Sequence, residues 1–568
     1  MRIPTIAVLT GPQPVDGDGL LRAELSALGA TVVDADGPAA AARAVASASA
    51  AGRVALVDRR LIAHRHALRL AIEDPRWAAA HTVGVLTVSG QARELLATRL
   101  RTLPDLTAHR VEGASPAAKL TAPRPLVPDV LATQLAQSLP IHEVVLPAGL
   151  IATLVDAPLA ARKDAYDRVA HTDGEAIRLR KAVKGDDGLF ATIFVSSYSR
   201  FLARWAAGRG LSPNLVTTLS LLVAIVGAIT AATGTRAGYI VAAVALYVSF
   251  VLDCTDGQLA RYALNFSRVG SWLDATFDRA KEYAVYAGLA FGSAHNGDNV
   301  WLLAALAMAL QTVRHQVDFA FHEGNRGQGG EQGFAANDGN TQPLPVAPSK
   351  TLSYWARKII VLPIGERWAL IALLTALTKP RTTFTVLLIW GLIAAAYTTA
   401  GRVQRSRAPQ PAPRTQAAID ALYAMSDISA RPLAESRRLG SKLGWLVPPV
   451  YHAFEYAIAI ALAAEAHGAM PVAFLYLAAV MYHHYDIVYR IRASASVPRW
   501  LSLAGALGFE GRVVILVLAS FIPTKPAHHA LTYAFVALAV YLWALFLAES
   551  VHFWLRPTAT ALLPADAV

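Results

Sequence analysis

Two patterns of hydrophobic residues divide the chain. In roughly the first 150 residues, short apolar runs alternate with helical stretches rich in Ala, Leu and Arg, and no run is long enough to cross a bilayer. The apolar runs are 6–9, 54–57, 82–88 and 142–146. This alternation predicts a soluble α/β domain with a largely parallel sheet, which we assign to residues 1–177.

From Arg178 onwards the apolar stretches become much longer. Residues 178–210 mix basic and aromatic residues at helical spacing, which predicts an interfacial helix. Ser212 and Pro213 then supply an N-cap and a first helical residue for the first predicted span. The ten predicted spans are 213–233, 238–260, 270–294, 299–321, 364–378, 382–401, 447–467, 470–488, 508–523 and 528–553.

Polar segments separate these spans into two groups. A Gly-rich segment, 322–350, follows the fourth span, and a Pro- and Arg-rich segment follows the sixth. We therefore predict a six-helix domain over 178–404, a linker over 405–438 and a four-helix membrane domain of unknown role over 439–568. The expected fold class is a polytopic α-helical membrane protein of about ten transmembrane helices, preceded by a soluble α/β domain.

The composition agrees with a membrane location. Hydrophobic residues make up 54% of the chain and the mean hydropathy is +0.38, which excludes an ordinary soluble protein. The formal net charge is +12, but Lys and Arg cluster beside the apolar stretches, so contact with membrane lipids explains the charge better than nucleic-acid binding. We expect a bacterial cell-membrane protein whose N-terminus lies in the cytoplasm, without disulfides because Cys254 is the single cysteine.

Four aspartates lie in these otherwise apolar segments, near the predicted cytoplasmic ends of the second and third spans. They are Asp253, Asp256, Asp274 and Asp278. Spacings of three and four residues place each pair on one helix face. Carboxylates brought this close repel one another unless a cation lies between them, and oxygen ligands without His or Cys favour Mg²⁺ or Mn²⁺. Four acids suit two ions.

A structural ion-pair cluster is the alternative interpretation of these acids. Neighbouring basic residues could neutralise them without any metal. The candidates are Arg261, Arg268, Arg279 and Lys281. Arg261, one turn after Asp256, could instead contact a phosphate group.

The spacing of the acids with their neighbours resembles the signature of the CDP-alcohol phosphotransferases. It reads Asp253-x-x-Asp256-Gly257-x-x-Ala260-Arg261, eight residues, then Gly270-x-x-x-Asp274-x-x-x-Asp278. The resemblance covers about residues 187–404. It implies six transmembrane helices around a polar cavity open to the cytoplasm, usually in a homodimer.

The same resemblance implies roles for individual residues. The first three aspartates would bind divalent metal, and Asp278 would be the general base and could also contact the metal. An acceptor hydroxyl would attack the β-phosphoryl group of a CDP-alcohol, either CDP-diacylglycerol or a CDP-polyol, and CMP would leave. The implied nucleotide-binding residues are Gly257, Ala260, Arg261, Gly270 and, through the likeness of "SPNLVT" to the family's first helix, Asn214 and Thr217.

Three basic residues are candidates for binding the acceptor alcohol: Arg314, His315 and Arg367. A cluster of interfacial side chains explains the first two equally well. The stretch 363–367, together with "KGDDGLF" at 184–190, looks like the membrane half of bifunctional enzymes that make CDP-inositol and join it to inositol phosphate. We therefore expect an inositol-type partner. The N-terminal domain would be a degenerate nucleotidyltransferase relative with a regulatory or assembly role, because it lacks the basic residue and glycine repeat of a working loop.

The C-terminal spans also carry acids and bases. We expect these to pair structurally, Glu455 with Arg490 or Arg512 and Asp486 with Arg490. Two other functions remain open at this stage: an ion-coupled transporter and a catalytically inactive membrane scaffold.

Overall fold

The computed structural model of the chain is mostly helical. Most of the predicted Gly-rich segment and parts of the predicted linker lie outside the residues that it describes. Those residues are 4–14, 16–49, 52–102, 127–147, 149–150, 152–154, 159–185, 187–326, 352–408, 413–429, 438–466, 468–493, 497–522 and 529–556.

The N-terminal region is an α/β unit built on a six-stranded sheet of order β2-β1-β3-β6-β5-β7, with a small second sheet of β4 and β8. The strands are β1 (Thr5–Thr10), β2 (Thr31–Asp34), β3 (Arg53–Asp58), β4 (Leu61–Ala63), β5 (Ala79–Thr82), β6 (Val85–Ser89), β7 (His142–Glu143) and β8 (Ala152–Leu154). Helices α1 (Gly19–Ala27), α2 (Pro38–Ser47), α3 (Arg65–Glu73), α4 (Gln91–Thr102) and α5 (Val127–Leu135) cover both faces. Strand side chains alternate between these faces: Val8 packs with α2 and α4, and Leu9 with α1 and α3.

The predicted largely parallel sheet is mixed: three of its five strand pairs are parallel, including β5 with β7, and two are antiparallel. Strand β1 pairs in parallel with β2 and β3, but β3 and β5 both pair antiparallel with β6. The antiparallel pairs arise because the apolar run 82–88 is not one strand. It turns at Val83 and Gly84, where Gly84 has a φ of 71°, and a turn this short joins antiparallel strands.

Short helices connect this unit to the membrane region. They are α6 (Leu159–Ala170), α7 (Gly174–Ala182) and, after a π-helical turn at Phe190–Val195, α8 (Ser196–Gly208). Large aromatic side chains on this stretch are exposed, among them Phe194, Phe201 and Trp205. Exposed aromatic residues beside arginines are typical of a helix at a membrane surface.

The remaining helices form the membrane region. They are α9 (Pro213–Ala232), α10 (Arg236–Ala263), α11 (Arg268–His295), α12 (Trp301–Gly324), α13 (Leu352–Val361), α14 (Ile364–Leu377), α15 (Pro380–Arg407), α16 (Gln416–Met425), α17 (Val447–Glu465), α18 (Met470–Arg492), α19 (Arg499–Ala504), α20 (Gly508–Phe521) and α21 (His529–Leu555). Ser212 caps α9 by accepting a hydrogen bond from the Leu215 amide, and Pro213 is its first residue, as predicted.

The count of about ten spans is not confirmed. In the described part of the chain, six helical segments are long and apolar enough to cross a membrane: α9, α10, α15, Gly444–Glu465, Arg499–Phe521 and Ala530–Leu555. The pair α13 and α14, bent by 64°, could form a seventh. Helices α11, α12 and α18 coincide with the other predicted spans, but charged side chains make them more polar.

The N-terminal unit holds the turn between α10 and α11. Arg69 donates hydrogen bonds to the carbonyl oxygens of Tyr262 and Ala263, at 3.1 and 2.8 Å. The turn residues Leu264 and Phe266 are buried in an apolar cluster with side chains of the α/β unit. Cations stabilise the carboxyl end of a helix, so the soluble unit fixes the end of α10.

Buried ion pairs form within and between the C-terminal helices, as predicted. Arg512 contacts Glu455 at 2.6 Å and Arg490 contacts Asp486 at 2.8 Å. Arg512 also contacts Asp427 at 2.8 Å. The side chains of Arg512, Glu455 and Asp427 are all fully buried. Asp427 and helix α16 lie within the predicted linker, so part of that segment is packed structure.

Candidate active site

Helices α10 and α11 form a hairpin that brings the signature acids together. The four-residue turn 264–267 connects them, and the Ser267 hydroxyl caps α11 by accepting a hydrogen bond from the Gly270 amide at 2.9 Å. One carboxylate oxygen from each of Asp253, Asp256 and Asp274 lies within 4.8 Å of the others. The three acids predicted to bind metal therefore converge on one point.

The fourth acid, Asp278, is linked to this group through a lysine. The Lys281 ammonium lies 3.2 Å from the Asp278 carboxylate and also pairs with Asp253. Lys281 is only 1% exposed, so water does not screen these pairs. Its positive charge stabilises Asp278 as a carboxylate, the form that can accept a proton.

The other nearby cations make different contacts. Arg261 donates to the Ala182 carbonyl at 2.6 Å, and Arg268 lies over the rings of Phe553 and Trp554. Arg279 lies 3.5 Å from the Glu282 carboxylate. The ion-pair interpretation therefore holds for Lys281, but these arginines do not fill the space between the acids.

The donor set fits a divalent cation. Within the described residues, no lysine or arginine forms an ion pair with Asp256 or Asp274. The carboxylates of Asp256 and Asp274 lie beside that of Asp253, and the three repel one another unless positive charge is added. Oxygen-only ligands are those that Mg²⁺ and Mn²⁺ prefer. Asp274 is exposed, so an ion could reach the group from solvent.

Helix α9 contributes two of the predicted nucleotide-binding residues to the same end of the hairpin. The Thr217 hydroxyl donates to the Asp256 carboxylate at 2.5 Å. Asn214 lies against Gly270, where an added Cβ would be 2.7 Å from its side-chain oxygen. A side chain at Gly270 would therefore displace the Asn214 side chain from its place between α9 and α11.

Gly257, Ala260 and Arg261 lie on α10 beside the acids. An added Cβ at Gly257 would meet the Arg261 guanidinium at 3.4 Å, which is ordinary contact. Helix packing therefore leaves room for a side chain at Gly257. The terminal nitrogens of Arg261 donate to no other side chain or carbonyl in the described part of the chain, so they are available to an anion.

The three predicted acceptor-binding residues lie around a second polar cluster. Arg367 contacts the Glu282 carboxylate at 3.2 Å. Arg314 donates to Gln311 at 3.0 Å and to the Val361 carbonyl at 2.6 Å. His315 lies between Gln311 and Tyr485, at 2.6 and 2.7 Å.

Sequence reasoning did not assign Glu282, Arg279 or Tyr485 to this cluster. The Arg279 Nε and Nη1 atoms and the Arg367 Nε atom are buried without a hydrogen-bond partner. Arg279 and Arg367 share the Glu282 carboxylate as an ion-pair partner. For Arg279, its position immediately after Asp278 in the sequence could have indicated a place near the site.

The two stretches that suggested an inositol partner also meet. Glu366, in the first turn of α14, accepts hydrogen bonds from the backbone amides of Leu189 and Phe190. An added Cβ at Gly188 would overlap this carboxylate, at 2.0 Å. Residues 184–190 and 363–367 thus form one contact between the interfacial segment and α14.

Comparison with known proteins addresses the membrane helices directly. Residues 211–330, which contain all four acids, match a family model described as CDP-alcohol phosphatidyltransferase. This part of the chain is therefore similar to the CDP-alcohol phosphatidyltransferase family. Residues 364–566 match a family of unknown function, DUF5941, so helices α14 and α15 fall in the second match.

Curated proteins that are similar to part of this chain have names that fit the same family. A phosphatidylinositol phosphate synthase of Mycolicibacterium smegmatis is 33% identical over 135 residues, which are 23% of this chain and 60% of that protein. The Streptomyces avermitilis protein of the same name is 32% identical over 121 residues, 21% of this chain and 47% of that protein. A bifunctional IPC transferase and DIPP synthase of Thermococcus kodakarensis is 27% identical over 135 residues, 24% of this chain and 30% of that protein.

The chain spans at most about 60% of the length of these relatives. The likeness to the bifunctional inositol enzymes is confirmed at the level of the family.

Proposed function

We propose that this protein is a membrane-bound transferase that moves a substituted phosphate group from a CDP-alcohol to an acceptor alcohol and releases CMP. The observation that carries the proposal is the convergence of Asp253, Asp256 and Asp274 within 4.8 Å. The phosphatidyltransferase match over 211–330 supports it. A transporter or an inactive scaffold would not need every acid of the signature.

Asp253, Asp256 and Asp274 would hold the cofactor, which we propose to be two Mg²⁺ or Mn²⁺ ions, with Asp278 as a further possible ligand. When bound, the ions would neutralise the negative charge of the donor diphosphate. Thr217 orients the Asp256 carboxylate through its hydrogen bond. Such second contacts keep ligand oxygens aimed at one point.

The donor nucleotide would lie over α10 and the start of α9. The free guanidinium nitrogens of Arg261 would bind a phosphate oxygen, with Gly257 and Ala260 leaving space beside them. Asn214 and Thr217 approach from α9, and Gly270 permits this approach.

Asp278 would be the general base. The acceptor hydroxyl attacks the β-phosphorus, and a new P–O bond forms while the bond to the α-phosphate oxygen breaks. CMP leaves with the bonding electrons, and the hydroxyl proton passes to Asp278. The contact with Lys281 keeps Asp278 ionised before this transfer.

The acceptor would be a phosphorylated polyol of the inositol phosphate class. Its phosphate would be held by Arg314 and Arg367, assisted by His315 and by Arg279. The Nε atoms of Arg279 and Arg367, which are buried without a hydrogen-bond partner, support this role. The names of the relatives, phosphatidylinositol phosphate synthases, point to the same class of acceptor. Either CDP-diacylglycerol or a CDP-polyol could be the donor.

We further propose that the protein functions in a bacterial cell membrane as a homodimer, with its N-terminus and active site on the cytoplasmic side. The excess of Lys and Arg beside one set of helix ends supports this orientation. The α/β unit would then meet α10 and α11 in the cytoplasm, which agrees with its contacts to their connecting turn.

The test is release of CMP by the purified protein with Mg²⁺. CDP-diacylglycerol and CDP-inositol would be offered as donors, and inositol 1-phosphate as acceptor. Asp278→Asn is expected to lower the rate by about 10²–10⁴-fold, the usual contribution of a general base. Asp298→Asn is the matched control, because Asp298 pairs with exposed Arg381 at the other end of α11 and should not affect turnover. Absence of CMP release by the wild-type protein with both donors would contradict the proposal.

A further inference from the structure

Helix α18 lies outside the phosphatidyltransferase match, yet it packs on the helices that carry the site. The Tyr482 hydroxyl donates to the carbonyl oxygen of Thr276 at 2.9 Å, and the Tyr489 hydroxyl to that of Ala275 at 3.5 Å. Both carbonyls belong to the turn of α11 between Asp274 and Asp278. The C-terminal region therefore contacts the backbone beside the proposed base.

Tyr485, on the same face of α18, reaches the proposed acceptor cluster. Its hydroxyl lies 2.7 Å from His315 Nδ1, and its ring lies 5.4 Å from the Arg279 guanidinium. Tyr485 is 2% exposed. A contact this well buried keeps its geometry, because no water competes for the hydrogen bond.

The hydrogen bonds continue from Tyr485 to an arginine. Arg314 can only donate, so the Gln311 side-chain oxygen accepts from Arg314 and the Gln311 amide nitrogen faces His315. The amide nitrogen donates to His315 Nε2, which leaves the hydrogen on Nδ1, and Nδ1 donates to Tyr485. Gln311 thereby fixes the tautomer of His315, and the Tyr485 hydroxyl, by accepting from Nδ1, holds the imidazole ring where Gln311 can orient Arg314.

We propose that the C-terminal region, which matches a family of unknown function, completes the acceptor side of the active site, with Tyr485 as a positioning residue for the binding of a phosphorylated polyol. This inference rests on the function proposed above. It assigns to α18 a part in substrate selection, in addition to helix packing. The donor side, formed by α9 and α10, has no contact with Tyr485 among the described hydrogen bonds and ring contacts.

The test is direct binding of inositol 1-phosphate to the full-length protein in detergent, measured by calorimetry. Tyr485→Phe removes the hydroxyl and keeps the ring, and it is expected to weaken binding by about tenfold, the effect of one oriented hydrogen bond. Tyr541→Phe is the matched control. Tyr541 also lies in the C-terminal region and donates to the Ala504 carbonyl at 2.7 Å, but on an exposed surface, so its loss should leave binding unchanged.

Binding of the CDP-alcohol, measured on the same samples, separates a positioning role from a general loss of structure. We expect Tyr485→Phe to bind the donor as tightly as the wild-type protein. Equal binding of inositol 1-phosphate by the variant and the wild type would overturn the inference, as would parallel loss of donor and acceptor binding or no acceptor binding by the wild type. Failure of the proposed function is seen separately, as absence of CMP release.

Discussion

At the scale of single residues, the site depends on side chains that hold the acids rather than on the acids alone. Thr217 donates to Asp256, and Lys281 bridges Asp253 and Asp278. Asp253, Asp256 and Asp278 are therefore each restrained by a donor from another turn or another helix. Residues of this kind set how strongly the carboxylates can hold a cation.

Thr217→Val tests this restraint. The substitution preserves shape and removes the hydrogen bond to Asp256, so the Mg²⁺ concentration for half-maximal CMP release should rise by about 10–100-fold. Thr218→Val is the control, because the neighbouring Thr218 hydroxyl donates to the Asn214 carbonyl, at 2.9 Å, and not to a signature acid. The same Mg²⁺ dependence in both variants would show that Thr217 does not orient the ligand.

At the scale of helices, the α10–α11 hairpin carries the site, and the α/β unit holds its turn. Leu264 has a φ of 52°, a conformation that is unfavourable for a residue with a side chain. Burial of Leu264 in an apolar cluster and the Arg69 hydrogen bonds to the last carbonyls of α10 offset this cost. The soluble unit thus stabilises the hairpin geometry.

Arg69→Met is expected to lower the free energy of unfolding by about 2 kcal/mol, because it removes two hydrogen bonds from a charged donor. Thermal unfolding of the purified protein, followed by tryptophan fluorescence, measures the change. Arg65→Met, on the same helix, is the control: Arg65 is 56% exposed and pairs with Glu24, and such surface pairs contribute little. Equal unfolding temperatures for the two variants would argue against anchoring by Arg69.

At the scale of the whole molecule, local spacing predicted the hairpin of acids, since intervals of three and four residues fix one helix face. The cap at Ser212 and the pair of Asp486 and Arg490 followed from equally local rules. The contact of Tyr485 with His315 could not be predicted, because it joins residues 170 positions apart through helix packing.

Two whole-molecule expectations depended on context that the chain pattern does not contain. The run 82–88 looked like one strand, but the turn at Gly84 reverses it and makes the sheet mixed. The apolar pattern predicted α11 as a span, and the structure adds that acids and bases of this helix pair with other helices inside the protein. The first comes from a local turn within an apolar run, and the second from tertiary partners that local patterns do not identify.

We propose above all that three carboxylates from two helices hold a divalent cation. Mn²⁺ titration followed by electron paramagnetic resonance tests this most directly. The account predicts that the wild-type protein and Asp298→Asn remove free Mn²⁺ from solution equally, and that Asp274→Asn binds it at least about tenfold more weakly. Absence of Mn²⁺ binding by the wild type, or equally tight binding by Asp274→Asn, would contradict the account.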